Sequence, residues 1–208
     1  MKDDSGHSPI LTINPLAPEP NLITVAAMAL KSGRTLVFPT DTVYGIGLLA
    51  QKTATPDSIF RLKQRDGDKA VPLLIDSVQA LDKYSQDLPQ YARELAQRFW
   101  PGSLTLVVQA SAALPKQFLA ADGSVALRMP NNQIALDLLV KVDSPIATSS
   151  ANLQGQPPAT SIDTLEPCLG SSVALLIDGG KIQNARPSTI ISCLGAEPIV
   201  LREGSIIL

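Results

Sequence analysis

Short apolar runs alternate with amphipathic segments of roughly ten residues along most of this chain. Strand-like runs occupy 34–38, 71–75, 104–108, 124–129, 145–148, 173–177, 188–192 and 199–202. Asn21 can cap a helix that places Leu22, Val25, Ala26 and Ala29 on one face and stops at Gly33. Thr55-Pro56-Asp57 begins a second, with cap, proline and first-turn acid in order. Pro89 opens a third, running to Phe99 and halted by Pro101-Gly102. Asn131 and Asn132 lead a fourth, with Ile134, Leu138 and Val142 on one side. This alternation predicts an α/β domain. The last three runs are separated only by turns, so they call for antiparallel pairing and a mixed sheet. The expectation is a single domain over 19–208: one open, twisted mixed sheet with flanking helices. Residues 1–18, with three prolines, read as a tail or an edge extension.

Composition removes several function classes. With 208 residues, 45% hydrophobic, the chain can bury a core, and disorder is a poor reading. No apolar run approaches the ~18 residues of a membrane span. The start Met-Lys-Asp-Asp lacks an apolar signal core, so the cytoplasm is the expected compartment and no membrane partner is expected. Two distant cysteines, Cys168 and Cys193, and one histidine, His7, cannot assemble a zinc site. Ser-His-Asp and Cys-His catalysis are excluded unless His7 folds back into a cleft. The cysteines read as small buried hydrophobes rather than a disulfide or a nucleophile. A net charge of −2 argues against binding nucleic acid through bulk charge, although a local basic groove stays open.

Four polar stretches interrupt strand and helix ends: 39–47, 63–69, 148–152 and 186–188. Ligands of α/β proteins bind at such loops. Singly, each has an ordinary reading. Thr40, Asp41 and Thr42 can cap a turn, Ser149, Ser150 and Asn152 a helix, and the 61–69 cations can line a solvated face. Gly45-Ile-Gly47 is neither a Walker A loop nor a dinucleotide fingerprint. Together they have a chemical logic. Lys63, Arg65, Lys69, Arg128 and Arg202 are five cations in or beside these loops. Thr42, Ser124, Ser149, Ser150, Asn152 and Ser188 add hydroxyl and amide groups. Acids are sparse there. That inventory suits a polyanion, such as a nucleoside triphosphate or RNA phosphates, and offers no close carboxylate pair for hydrolysis.

The order of the motifs then becomes specific. Phe38-Pro-Thr-Asp-Thr-Val-Tyr-Gly-Ile-Gly47, Lys63-Gln-Arg65, Phe99-Trp-Pro-Gly-Ser-Leu-Thr105, Val125-Ala-Leu-Arg-Met-Pro130 and Ser150-Ala-Asn-Leu-Gln-Gly155 follow one another, then Pro187-Ser-Thr-Ile190 and Leu201-Arg-Glu-Gly204. From about residue 20 onward the chain resembles the YrdC-like threonylcarbamoyl-AMP synthase family, in its short single-domain form. The resemblance implies a twisted open sheet around a large concave cleft. It implies that L-threonine, bicarbonate and ATP, the last with a magnesium ion, give threonylcarbamoyl-AMP and pyrophosphate. Partner proteins would use that product for threonylcarbamoyladenosine in tRNA, and binding of tRNA or double-stranded RNA is a further possibility it raises. By resemblance, Thr42, Arg128, Thr148 and Ser188 match threonine-binding positions. Arg65, Lys69, Ser124, Ser150, Asn152 and Arg202 match nucleotide contacts, and Lys63 with Arg65 carries the catalytic basic motif, with no metal ligand among the side chains.

This chain also departs from the pattern. Asp66 stands where a proline is usual, Ala70-Val71 replaces a Pro-Leu pair, and Leu74 stands where some members have a histidine near the threonine. Gln154-Gly155 replaces Ser-Gly, and Pro158 replaces a later serine. Two alternatives therefore accompany the synthase: a family paralogue that binds nucleotide with little turnover, and an RNA-binding module using the same cleft.

Overall fold

The computed structural model describes residues 8–64, 71–183 and 185–207. Ten strands are formed: β1 (Ile10–Thr12), β2 (Leu36–Phe38), β3 (Gly45–Leu49), β4 (Leu73–Leu74), β5 (Leu104–Gln109), β6 (Ser124–Arg128), β7 (Ile146–Ser150), β8 (Leu175–Asp178), β9 (Thr189–Ser192) and β10 (Ile199–Arg202). Helices α1 (Pro20–Lys31), α2 (Asp57–Leu62), α3 (Val78–Tyr84), α4 (Gln90–Phe99), α5 (Gln133–Val142) and α6 (Pro167–Gly170) lie between them. The strands make one open mixed sheet in the order β1-β8-β2-β3-β7-β4-β6-β5-β9-β10.

Several sequence expectations are settled here. Of the three last strands, only β9 and β10 form an antiparallel pair; β8 crosses to the far side of the sheet and runs parallel to β1 and β2. Turn-length spacing did not reveal that β8 joins the other half. Of the two readings of 1–18, the edge extension is the one formed: β1 is an edge strand, and the hydroxyl of buried Ser8 donates to the Val173 carbonyl. The first helix is also phased differently. It starts at Pro20 with Glu19, not Asn21, as N-cap, and buries Ile23, Ala26, Ala27 and Leu30 while Val25 is exposed. A helix was missed at α3, where the Ser77 hydroxyl accepts from the Ala80 amide. Two expected ends are as read. Gly33 follows α1 with φ +79°, and the Asn132 side chain caps α5 by accepting from the Ala135 amide.

Strand register sorts side chains onto two faces of the sheet. One face carries Leu73, Leu104, Leu106, Val108, Val125, Leu127, Ala147 and Ile191, packed with Ile59, Phe60, Leu81, Ala92 and Ala96 from α2, α3 and α4. The opposite face is covered over only half its width. There Leu36, Phe38, Leu74, Ile146, Leu175 and Ile177 pack under α1 and α5 through Ile23, Leu30, Ile134 and Leu138. Each such buried aliphatic chain is worth roughly 1.5–3 kcal/mol of transfer free energy. On β5, β6 and β9 the same face has no helix above it among the described residues, and Val107, Ala126, Ile190 and Ser192 are only half-buried. The step from the helix layer down to these bare strands forms the cleft.

Two buried weak acids give the fold a pH signature. Burial raises the Cys193 thiol to about 11 and the Tyr44 phenol to about 12, the latter against a lowering hydrogen bond from the Gly179 amide. Both groups keep their protons in the folded chain at pH values where the unfolded chain has lost them. The stability they support is complete below about pH 9 and is lost as pH rises through 11 and 12. Urea unfolding across this range should show a fall of about 2 kcal/mol or more, and Cys193→Ala should flatten its lower part. Cys168, by contrast, is exposed, which corrects its assignment to the core; both cysteines are free thiols.

Candidate active site on the bare half of the sheet

The site begins at the boundary between covered and bare strands. Arg128 ends β6, and parallel register sets it beside Leu74 of β4. Its side chain is 9% exposed. Nε donates to the Gly102 carbonyl at 3.1 Å, Nη1 to the Thr42 hydroxyl at 3.0 Å, and Nη2 to the Asp41 carboxylate at 2.6 Å. A guanidinium has five N–H donors. One on each Nη nitrogen is left without an acceptor among the described residues, which is the number a carboxylate takes in a bidentate pair. Burial lowers the Arg128 pKa, Asp41 opposes that, and nearby Arg202 adds to the lowering.

Thr42 is held by its own turn. The Thr40 hydroxyl accepts from the amides of Thr42 and Val43 and donates to the Val43 carbonyl, and the two hydroxyls are 3.1 Å apart. So the Thr-Asp-Thr stretch caps a turn and faces the site at once. Asp41 was not read as a site residue. Its Oδ1 also accepts from the Asn131 amide, and its Oδ2 from the Ser103 hydroxyl. Acids are sparse in these loops, and this one is the arginine's partner.

A second cluster lies across the bare strands. The Ser188 and Thr105 hydroxyls are 2.9 Å apart and both are buried. Arg202 donates from Nε and Nη2 to the Ser188 carbonyl and from Nη2 to its hydroxyl. Thr105 is a further residue the sequence did not single out; its one legible signal was its place in the Phe99–Thr105 motif. Ser124 lies at the other end of the bare strip, opposite Gln109. Its amide donates to Asp122, and hydrogen bonds from Ser124 hold that exposed carboxyl below its usual range.

Gly204 builds this cluster by leaving room. A Cβ there would lie 2.5 Å from the Ser188 carbonyl carbon and the Thr189 amide nitrogen, and against the Pro187 carbonyl. All three are backbone and cannot swing away. Gly204→Ala should therefore displace the segment that carries Arg202. The expected result is a loss of about 2 kcal/mol or more in stability, read by urea unfolding.

The third group sits on β7 and the loop after it. Lys63, at the end of α2, is 3% exposed. Its ammonium meets the Ser150 carbonyl in a short contact, the Asn152 carbonyl at 2.8 Å, Asn152 Oδ1 at 2.9 Å and the Ser150 hydroxyl at 3.4 Å. The sequence reading placed this charge on phosphates. In the structure it clamps the loop bearing two predicted nucleotide residues, and it does not line a solvated helix face. Ser150 donates to Asn152 Oδ1 at 2.6 Å, closing the network. Thr148 is on the same sheet face, leaning over Gly45 and Gly47, where an added Cβ would strike its side chain.

The structure thus joins Thr42 to Arg128, Ser188 to Arg202, and Lys63 to Ser150 and Asn152. Arg65, Lys69 and Asp66 lie outside the described residues, as does His7. Leu74 is a core residue under the helix layer, 3% exposed, so the departure there is absorbed as packing. Pro158 is exposed. Among the described residues no group of three or more His, Cys, Asp or Glu converges to hold a metal, and both Asp41 oxygens are engaged. No helix among them is long and apolar enough to cross a membrane.

Comparison with known proteins agrees with this geometry. A family profile for the Sua5/YciO/YrdC domain, described as telomere recombination, matches residues 28–204. A putative threonylcarbamoyl-AMP synthase of Mycobacterium tuberculosis is 39% identical over 184 residues, covering 88% of this chain and 84% of the relative. The crystal structure of Pyrococcus abyssi Sua5 complexed with L-threonine superposes with a TM-score of 0.87 at 34% identity, covering 94% of this chain and 57% of that one. Escherichia coli YciO superposes with a TM-score of 0.83 at 28% identity, covering 95% of this chain and 96% of that one. The chain therefore spans little more than half of the Pyrococcus protein and nearly all of YciO. With the profile matching most of its length, the chain belongs to the Sua5/YciO/YrdC family of nucleotidyltransferase-type enzymes.

Proposed function

We propose that the chain is an L-threonylcarbamoyladenylate synthase, converting L-threonine, bicarbonate and ATP into threonylcarbamoyl-AMP, pyrophosphate and water. The observation that carries this reading is Arg128. A buried guanidinium with two donors to spare, beside the Thr42 hydroxyl, suits an amino acid that presents both a carboxylate and a hydroxyl. The crystal structure of Pyrococcus abyssi Sua5 is a complex with L-threonine, in keeping with that assignment.

In this reading the amino acid lies at Thr42, Arg128, Thr148 and Ser188, and the nucleotide extends over the bare strip toward Ser124, Arg202 and the Ser150–Asn152 loop. Arg65 and Lys69 are assigned to the phosphates by family resemblance. The threonine amine attacks carbon dioxide derived from bicarbonate, losing a proton and forming a carbamate. A carbamate oxygen then attacks the α-phosphorus, and the bond to pyrophosphate breaks. No protein nucleophile is needed, so the chain's share is positioning and charge. Magnesium would arrive on the nucleotide's phosphate oxygens, since the described side chains do not form a site for it; bound there, it would offset phosphate charge. The product would feed the proteins that install threonylcarbamoyladenosine in tRNA.

A second reading has one observation in its favour. The relatives that match this chain end to end include YciO and a Haemophilus influenzae protein of unassigned activity, 30% identical over 93% of this chain. It holds that the chain binds nucleotide with little turnover. Incubation with carbon-13 bicarbonate, ATP, magnesium and L-threonine separates the two. The synthase yields a labelled product containing both threonine and AMP by mass spectrometry, whereas recovery of ATP unchanged from protein that binds it supports the second.

A further inference from the structure

We infer that Asp41 is a positioning residue that fixes the orientation of Arg128 for its carboxylate ligand. This rests on the assignment of Arg128 to the amino acid. Asp41 lies in the turn after β2, Ser103 just before β5, and Asn131 between β6 and α5. One carboxylate therefore ties three chain segments to the guanidinium: Oδ1 takes Arg128 Nη2 at 2.6 Å and the Asn131 amide at 3.1 Å, and Oδ2 takes the Ser103 hydroxyl at 3.0 Å. Its side chain is 13% exposed, so the contacts are shielded from bulk water. With Nε fixed on Gly102 and Nη1 on Thr42, the guanidinium plane has one orientation, and its two remaining donors have fixed directions.

Charge supports the same role. Burial and Arg202 both weaken the protonated form of Arg128, and Asp41 is the group that supports it. Without Asp41, the guanidinium would lose its anchor at Nη2 and gain freedom to turn toward phosphate. Asp41 thereby reserves Arg128 for the amino acid.

The test uses the full chain and two readouts. Nitrogen-15 NMR of the Arg128 Nε–H group reports its immobilisation without any ligand, and calorimetry reports L-threonine and ATP affinity. Asp41→Ala is expected to speed Nε–H exchange at least tenfold and weaken threonine binding at least tenfold, with ATP affinity changed by less than about twofold. Asp41→Asn keeps an acceptor at Oδ1 and should recover most of the threonine loss, which a merely structural role would not predict selectively. Ser103→Ala, a milder change for the case where Asp41→Ala does not fold, should weaken threonine binding about threefold and leave ATP binding alone. Unaltered Nε–H exchange in a folded Asp41→Ala, or equal losses for threonine and ATP, would overturn the proposal. A wild-type chain that binds no threonine would instead overturn the functional reading, and the NMR comparison would still decide whether Asp41 orients Arg128.

Discussion

Arg128→Ala is expected to lose threonine-dependent turnover by ~100-fold or more in kcat/KM and to destabilise the fold by about 3 kcal/mol. The two effects have separate origins. The first is loss of the donors assigned here to the substrate carboxylate. The second is the Asp41 carboxylate, left in a largely buried site without its cation. Arg128→Lys distinguishes them. A lysine keeps a positive charge near Asp41 and should restore much of the stability. It cannot reach Gly102, Thr42 and Asp41 together while still offering two donors, so threonine KM should stay at least tenfold raised. Steady-state kinetics with urea unfolding checks both halves. Full threonine use by Arg128→Ala would remove the amino-acid site from this position.

The second large effect is expected at Lys63. Lys63→Met keeps the length and apolar stem but leaves the Ser150 and Asn152 carbonyls without their ammonium donor. The Ser150 carbonyl keeps the Asn152 amide as a donor, but the Asn152 carbonyl loses its ammonium; an acceptor left without a partner costs about 1–3 kcal/mol, so the 150–152 loop should loosen and stability should fall by about 2 kcal/mol. Nucleotide use should fall by ~100-fold, because Ser150 and Asn152 would no longer be held, while threonine affinity stays within a few fold. Calorimetry with each ligand in turn reads this split. Equal loss of both affinities would mean that Lys63 supports the whole fold rather than the nucleotide side.

The two positions show how legible the sequence was. Class, helix caps at Asn132 and Gly33, and the mixed sheet were readable because they depend on local chemistry: amide acceptors, left-handed glycine and hydrophobic period. The placement of β8 beside β1 and β2 was not, because turn length says nothing about which edge a strand joins. The phase of α1 was misread for a similar reason. With three alanines, Val25 and Met28 spread over several sides, the helix has no sharp apolar stripe until α5 supplies its partner.

At the site, hydroxyls and cations recurring at strand ends made a polyanion-binding inventory legible, whereas the role of each residue, and Thr148 altogether, came from the family resemblance. Asp41 was missed because an aspartate between two threonines has an adequate local explanation as a turn former. Its distant partners at 103, 128 and 131 exist only once β2, β5 and β6 share a sheet. Lys63 was found but given a different task. Sequence identifies a lysine in a basic run; only the fold shows its ammonium turned onto 150–152. Leu74 is the converse: a departure that looked like a missing ligand is a packed core side chain.

The most direct measurement is pyrophosphate release from ATP by the intact chain, with magnesium and bicarbonate, in the presence and absence of L-threonine. The geometry around Arg128 predicts release that depends on threonine and disappears when bicarbonate is withheld. Release at the same rate without threonine, or none from folded protein that binds ATP, would contradict the assignment of this cleft to threonylcarbamoyl-adenylate synthesis.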